Sequence, residues 1–400
     1  DSVAEMQGLY GPFTMAERVV QKIWLQQDFA VARARLEDGR AVEVLSPGRW
    51  NLLGGPDFKD ARLRIDGREV TGDVEVHFHA SDWHAHGHRA DPAYANVVLH
   101  VLLFPPTAGE KPARDGAGRT IAALVLLPLL HRDLEEYAAD DALETMTVRD
   151  EWRRTAELAN RPLDEARVLL RELAQSRWRR KVHYARMRIE RLGWSEAAHH
   201  TVLEILGYRH NRVPMLAVAS RWPLAAWSGE VEVETIMRSV GDTWQRHGVR
   251  PANHPLHRLA QYRQWTTARP DWPARLAAWA DRWRAVGQGE ASAWAESTKA
   301  FRRRIELRKV SEELATAVVG DCVGGARRHT LVCDGLLPLA AAQPGWDGGA
   351  VWFHWFPGDA PDQVRRALRQ LDVTGGRGQP HCHGFGQGLL AWFIRRDESA

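Results

Sequence analysis

Long hydrophobic runs are scarce in this chain of 400 residues. The longest, Val97 to Pro105 and Ile121 to Leu130, fall well short of the roughly 20 apolar residues that span a bilayer, so no membrane-spanning helix is expected. Cysteine is almost as rare. Cys322, Cys333 and Cys382 are too few for a disulfide framework, and no charged-then-apolar leader opens the sequence, so a bacterial cytoplasmic protein is the expectation. A large excess of either charge is also missing: 54 basic against 51 acidic residues leave a formal +3, which rules out a generic polycation. Lysine occupies only positions 22, 59, 111, 181, 299 and 309. The arginine bias, with abundant alanine, is what a GC-rich genome produces, so only local basic clusters bear on nucleic-acid binding. What remains is globular in composition, 44% apolar and 26% charged, and long enough for two or three domains.

The hydrophobic period changes along the chain. Met15, Val19, Val20, Ile23, Trp24 and Phe29 recur at helical spacing and predict an opening helix over 13–29. Residues 31–36 and 41–45 then flank the turn signal Glu37-Asp38-Gly39 and predict a hairpin. A second hairpin is predicted from Ala61–Ile65 and Glu69–His79 around Asp66-Gly67, followed by a short helix over 91–96 and strands over 97–104 and 120–127. Beyond about residue 130 helical patterns take over, with a long arginine-rich helix over 163–192 and another at 195–206. Trp272, Leu276, Trp279, Trp283 and Val286 share one helical face, which reads as core. The expected organisation is an α/β region over 1–130, a helical region over 131–310 and a mixed region of unassigned fold over 311–400.

Carboxylates and imidazoles concentrate between Glu43 and His100: Asn51, Asp57, Glu75, His77, Ser81, Asp82, His84, His86, His88, Asp91 and His100. With Asp66-Gly67 as a two-residue turn, paired residue numbers sum to 133, which sets Glu75 across from Phe58 and one step from Asp57. One bulge, which Gly72 would permit, brings both carboxylates to the same face. Two carboxylates held together without a cation repel, and a hard divalent ion such as Mg²⁺ or Mn²⁺ resolves this more simply than a shared proton. Each residue also has a plainer reading. Asp57 suits a turn cap, Glu75 a solvated strand position and His100 a hydrogen-bonded core histidine.

Pro56-Asp57 followed by Glu75-Val76-His77 resembles the PD-(D/E)xK nuclease signature, and the order of predicted elements resembles that family's αβββαβ core over roughly the first 105 residues. The resemblance implies that Asp57 and Glu75 bind a metal ion, with the Val76 carbonyl as a further ligand and His77 in the place of lysine. Glu43, on the preceding strand, is a possible additional ligand. A neutral histidine accepts a proton or binds metal but is not the fixed cation that lysine supplies. A wider set, running from Pro47 through Asn51, Gly55-Pro-Asp-Phe58, Gly72 to His77, Ser81-Asp-Trp83, His86, His88 and Leu99-His-Val101, with later motifs at Trp194, Leu206 to Asn211 and Arg250 to Gln261, resembles domain-of-unknown-function family 2851. That family implies no activity.

His84, His86 and His88 fall on one side only in an extended segment, where they could hold Zn²⁺ with Asp82 or Asp91; the spacing is not that of a four-ligand structural zinc site, so Mg²⁺ or Mn²⁺ is favoured over Zn²⁺. Arg177, Arg179, Arg180 and Lys181 make the densest basic stretch, and Arg250 and Arg258 a second polar cluster; both are candidates for phosphate contacts, with a solvated helix as the alternative. The reading is a metal-dependent phosphodiesterase acting on DNA or RNA, with Asp57 and Glu75 on the ion and His77 or Asp82 assisting proton transfer. Its rivals are a non-catalytic nucleic-acid-binding or scaffold protein and a hydrolase of a small phosphorylated molecule.

Overall fold

The computed structural model describes residues 3–8, 11–52, 54–131, 134–208, 211–229, 231–241, 244–246, 249, 251–283, 291–374 and 380–394. The chain divides into two compact units, Asp1–Glu144 and Thr145–Ala400. Among the described residues no helix is long and apolar enough to cross a membrane.

The first unit opens with an unforeseen antiparallel hairpin, β1 (Val3–Gly8) and β2 (Gly11–Ala16), and then α1 (Glu17–Gln26), shorter than its apolar spacing predicted. Val19, Val20, Ile23 and Trp24 fall on one face of α1 and are buried. Gln27 ends the helix in a left-handed conformation, φ 55°, returning its N–H to Ile23 and Trp24 carbonyls. Residues 31–36 do not form a strand. Val31–Arg33 is a 3₁₀ turn, and only isolated bridges at Arg35 and Leu36 follow.

The main sheet comprises β3 (Val42–Ser46), β4 (Arg49–Trp50), β5 (Phe58–Ile65), β6 (Arg68–His77), β7 (Val97–Leu102) and β8 (Ala122–Val125). It is a mixed sheet curled into a half-barrel, in the order β3-β5-β6-β7-β8, with β4 also on β5. The pairs β3/β5, β4/β5 and β5/β6 are antiparallel; β6/β7 and β7/β8 are parallel. A short helix, α2 (Asp82–Ala85), and two 3₁₀ turns make the crossover from β6 to β7. One sheet face packs on α1 through Phe58, Leu63, Val74, Val76, Leu99 and Val101. On the other face a smaller apolar cluster of Trp83, Val97, Ala113 and Ile121, with Tyr94, covers β6 and β7. α3 (Leu134–Thr145) closes this unit, where Asp141 receives Arg18 and Lys22 of α1.

The second unit is mainly helical. α4 (Val148–Ala159) begins with a Thr147/Asp150 capping box, and α5 (Leu163–Leu192) is a 30-residue helix with the predicted bounds. Ala166, Leu170, Ala174 and Trp178 line its buried side, against α6 (Trp194–Leu206) and a helix over His383–Ile394. That last helix approaches α5 closely: a Cβ at Gly388 would lie 2.1 Å from the Leu170 carbonyl oxygen. Trp272, Leu276 and Trp279 are fully buried, so the tryptophan stripe is core. The described residues of 311–394, unassigned from sequence, are mainly helical, and Leu337–Ala342 and Gly349–His354 are buried on all sides.

Candidate functional site

Asp57 sits in the loop before β5, and Asn51 shapes that loop. The Asn51 side-chain amide donates to the Gly54 and Pro56 carbonyls at 3.2 and 2.9 Å, and its backbone N–H to Asp57 O at 2.7 Å. The β5/β6 pairing keeps the sum of 133 from Ile65↔Arg68 to Ala61↔Gly72 and then shifts to Phe58↔Val74. Lys59 and Asp60 therefore oppose the single residue Asp73, which makes a bulge. Asp60 carries it, with φ 57°, and Asp73 pins it by accepting Asp60 N–H at 3.2 Å and Lys59 Nζ at 2.9 Å. The bulge lies where strand parity required one, but Gly72 does not supply it. A Cβ at Gly72 would meet Val98 Cγ1 at 2.4 Å and the Asn96 carbonyl at 2.7 Å; glycine is there for the close approach of β7, which bulges at Val98.

Past the bulge Asp57 is level with Glu75. Asp57 N–H donates to Glu75 Oε2 at 3.0 Å, and Asp57 Oδ2 accepts Val76 N–H at 3.0 Å. Gln21 of α1 donates to Asp57 Oδ1 at 2.8 Å. Burial, then the Glu75 charge, holds the Asp57 carboxyl well above its ordinary range, against the hydrogen bonds from Val76 and Gln21. Burial raises Glu75 as well, opposed by the Asp57 N–H and the charge of Lys59.

Glu75 and His77 project from the face of β6 opposite Val74 and Val76, and the parallel register places His100 of β7 beside Glu75. His77 Nδ1 meets His100 Nε2 at 2.8 Å. His77 Nε2 faces His86 Nδ1 at 3.2 Å, His88 Nε2 at 3.4 Å and Glu75 Oε1 at 3.4 Å; His88 Nε2 also lies 3.2 Å from Glu75 Oε1. Tyr94 stacks on His88 with centroids 3.8 Å apart, and the Trp83 edge meets the same ring. His77, His88, His100 and Glu75 are buried, while His86 is exposed. Burial and the neighbouring histidines push His77 down to about 2 and His100 to about 3, so both rings are neutral. A neutral ring nitrogen carries at most one proton. His77 Nε2 therefore cannot hydrogen-bond to all three of its neighbours, and this donor set fits a cation better than it fits itself.

The site thus assembles Asp57, Glu75, His77, His86, His88 and His100. Other candidates have partners outside this cluster. His84 turns away to the Pro112 carbonyl at 3.3 Å, and Asp91 caps the Pro92–Tyr94 turn through Ala93 N–H, because residues 82–94 are helical turns and not an extended run. Asp82 accepts His79 N–H at 2.9 Å, and the Ser81 N–H donates to Glu110 at 3.1 Å; both serve local turns. Glu43 pairs with Arg64 at 2.6 Å on the exposed part of the sheet, seven residues along β5 from Asp57 or roughly 20 Å, too far for a shared ion. Val76 enters through its N–H.

The basic stretch lies in the second unit, where much of it is internal. Arg177 donates to Gln387 at 2.8 Å, Trp178 is buried, and Lys181 pairs with Asp334 at 2.9 Å; Arg179 is exposed and Arg180 half-buried. Arg258 is buried, donating to Asn253 at 2.6 Å and Gln261 at 2.8 Å, with its basicity lowered to about 10 chiefly by burial. Arg250 lies outside the described residues. Sequence reasoning missed Gln21 and Lys59, and met Tyr94 only as part of the family 2851 resemblance. Lys59, two residues after Asp57, lies just before the predicted strand Ala61–Ile65.

The mixed sheet with a buried carboxylate–imidazole cluster, followed by a mainly helical unit, defines an architecture but no activity. The chain belongs to the family described as protein of unknown function (DUF2851), whose model matches residues 17–240, more than half of its length. No curated protein and no solved structure matches it.

Proposed function

We propose that this protein is a cytoplasmic divalent-metal-dependent hydrolase of phosphodiester bonds, with DNA or RNA as the substrate class. The observation that carries the reading is that Glu75 and His77 share one face of β6 and Asp57 is tied to the same stretch, its N–H on Glu75 Oε2 and its Oδ2 on the Val76 N–H. The order α1, antiparallel strands β3 to β6, short helix, parallel strand supports it, since it resembles the αβββαβ order of the PD-(D/E)xK core with the two-residue β4 added. Three free cysteines suit a reducing compartment.

Glu75 would hold the ion, with Asp57 and the imidazoles around it; Mg²⁺ and Mn²⁺ are the ions that the nuclease resemblance implies. A bound divalent ion acidifies water and offsets charge on a phosphoryl oxygen. Asp57, oriented by Gln21 and the Val76 N–H, is positioned to take the proton of an attacking water. Lys59, whose charge reaches Glu75, provides a cation that His77 does not, because burial keeps His77 neutral. The rival scaffold reading leaned on an arginine-rich face, and Arg177, Lys181 and Arg258 have internal partners.

The test is cleavage of labelled single- and double-stranded DNA and RNA by wild type and Asp57→Asn, with Mg²⁺, Mn²⁺ or Zn²⁺ supplied. Wild type should cleave at least one polymer, and the variant should be slower by on the order of 10²-fold or more. Equal rates for both, or no cleavage with any ion, would refute the reading.

A further inference from the structure

We infer that Glu75 Oε1, His77 Nε2, His86 Nδ1 and His88 Nε2 form a tetrahedral transition-metal site that takes Zn²⁺ and not Mg²⁺. The inference rests on the metal-dependent reading of the same site and narrows it to an ion and a ligand set that excludes Asp57.

The geometry comes first. Four ligands at the roughly 2.0–2.1 Å typical of zinc stand about 3.3–3.4 Å from one another at the corners of a tetrahedron. Four of the six separations among these atoms, three to His77 Nε2 and one between His88 and Glu75, are 3.2, 3.4, 3.4 and 3.2 Å. The three imidazole nitrogens all lie within 4.8 Å of one another. Glu75, His77 and His88 therefore already stand at coordination spacing, and the exposed His86, 3.2 Å from His77 Nε2, is the ligand that turns in to complete the tetrahedron.

The surroundings have what a metal-binding histidine needs. If His77 Nδ1–H donates to His100 Nε2, the His77 Nε2 lone pair is left free to face the other three donors, which makes His100 a positioning residue. Glu75 is oriented likewise: Asp57 N–H holds Oε2 and leaves Oε1 toward the histidines. His86 and His88, two apart in sequence, converge because Gly87 turns the chain between them at φ 73°. Tyr94 and Trp83 fix the plane of His88, while the exposed His86 gives the ion a path from solvent.

The donor chemistry then selects the ion. Three imidazoles and one carboxylate suit Zn²⁺ and its neighbours, whereas Mg²⁺ demands six oxygens and keeps much of its water. Asp57 stands apart. Both of its carboxylate oxygens already accept hydrogen bonds, from Gln21 and Val76.

The experiment uses the untagged full chain, stripped of metal and titrated with Zn²⁺ in competition with a chromophoric chelator, and with Co²⁺ for its visible spectrum. One equivalent of either ion should bind, and Co²⁺ should give the intense visible bands of a tetrahedral site. His86→Ala, at an exposed position that leaves the core untouched, should weaken binding on the order of 10²-fold or more; His100→Gln should weaken it by about 10- to 100-fold. Asp57→Asn should leave Zn²⁺ affinity within a few-fold of wild type. Circular dichroism establishes that each variant is folded. Octahedral Co²⁺ spectra, unchanged affinity in folded His86→Ala, or binding abolished by Asp57→Asn would overturn the inference while leaving hydrolysis open. Tight tetrahedral binding without cleavage of any polymer would uphold the inference and remove the proposed function.

Discussion

His199, far in sequence from the carboxylate–imidazole cluster, should make the second unit acid-labile. It is fully buried on α6, with Nδ1 2.6 Å from the Tyr262 hydroxyl and Nε2 2.9 Å from the Trp222 carbonyl. Donation from Nε2–H to the carbonyl, with Nδ1 accepting the phenol, satisfies a neutral ring and leaves no place for a second proton. Burial, then the neighbouring His200, pushes its pKa from 6.5 down to about 3. The folded pKa is depressed, so the unfolded chain binds the proton first. Stability is fully present above about pH 6.5 and is lost as pH falls toward 3. Between pH 7 and pH 5 the unfolded chain takes up nearly one proton at this position and the folded chain almost none, which is a loss of about 2 kcal/mol. With a urea slope of roughly 3 kcal/mol/M, the unfolding midpoint should move by about 0.6 M from this group alone. His199→Gln keeps a donor and an acceptor but does not titrate. The assay is urea unfolding of both proteins at pH 7 and pH 5, followed by tryptophan fluorescence. His329, His354 and His383, each lowered to about 4 mainly by burial, are common to both and cancel in the difference. A gap between wild type and variant that is the same at the two pH values would show that His199 is not held neutral by burial.

Gly388→Ala should destabilise the second unit by about 1–3 kcal/mol, seen as a lower melting temperature, because its Cβ would strike the Leu170 carbonyl of α5. Asp60→Val should cost roughly 1–2 kcal/mol at its left-handed φ while Asp60→Gly should be nearly neutral, a contrast that chemical denaturation reads directly. Arg177→Ala and Lys181→Ala should lower the denaturation midpoint through loss of Gln387 and Asp334, without flattening the salt dependence of any nucleic-acid binding.

The Asp66-Gly67 turn was legible because its residues demand a tight turn, and the register of β5 on β6 follows from it by counting. The bulge was legible only as a requirement of parity. Its carrier was not, since an aspartate at positive φ leaves no mark in a hydrophobic pattern. His84 parts from His86 and His88 for a related reason: the three share a side only in an extended segment, whereas the chain coils into α2 and turns at Gly87, so His86 and His88 meet His77. His100 arrives by parallel pairing across a crossover, a long-range event that no local window records. Leu337–Ala342 and Gly349–His354 were obscured because they are buried on all sides and show no amphipathic period.

The close seat of Gly388 on Leu170 also has a consequence in time. The two residues are 218 positions apart, so α5 emerges from the ribosome long before the helix that covers it. At about 5–20 residues per second that interval is roughly 10 to 40 s, during which the stripe of Ala166, Leu170, Ala174 and Trp178 lacks this cover. The second unit cannot complete this part of its core until the helix of His383–Ile394 is made.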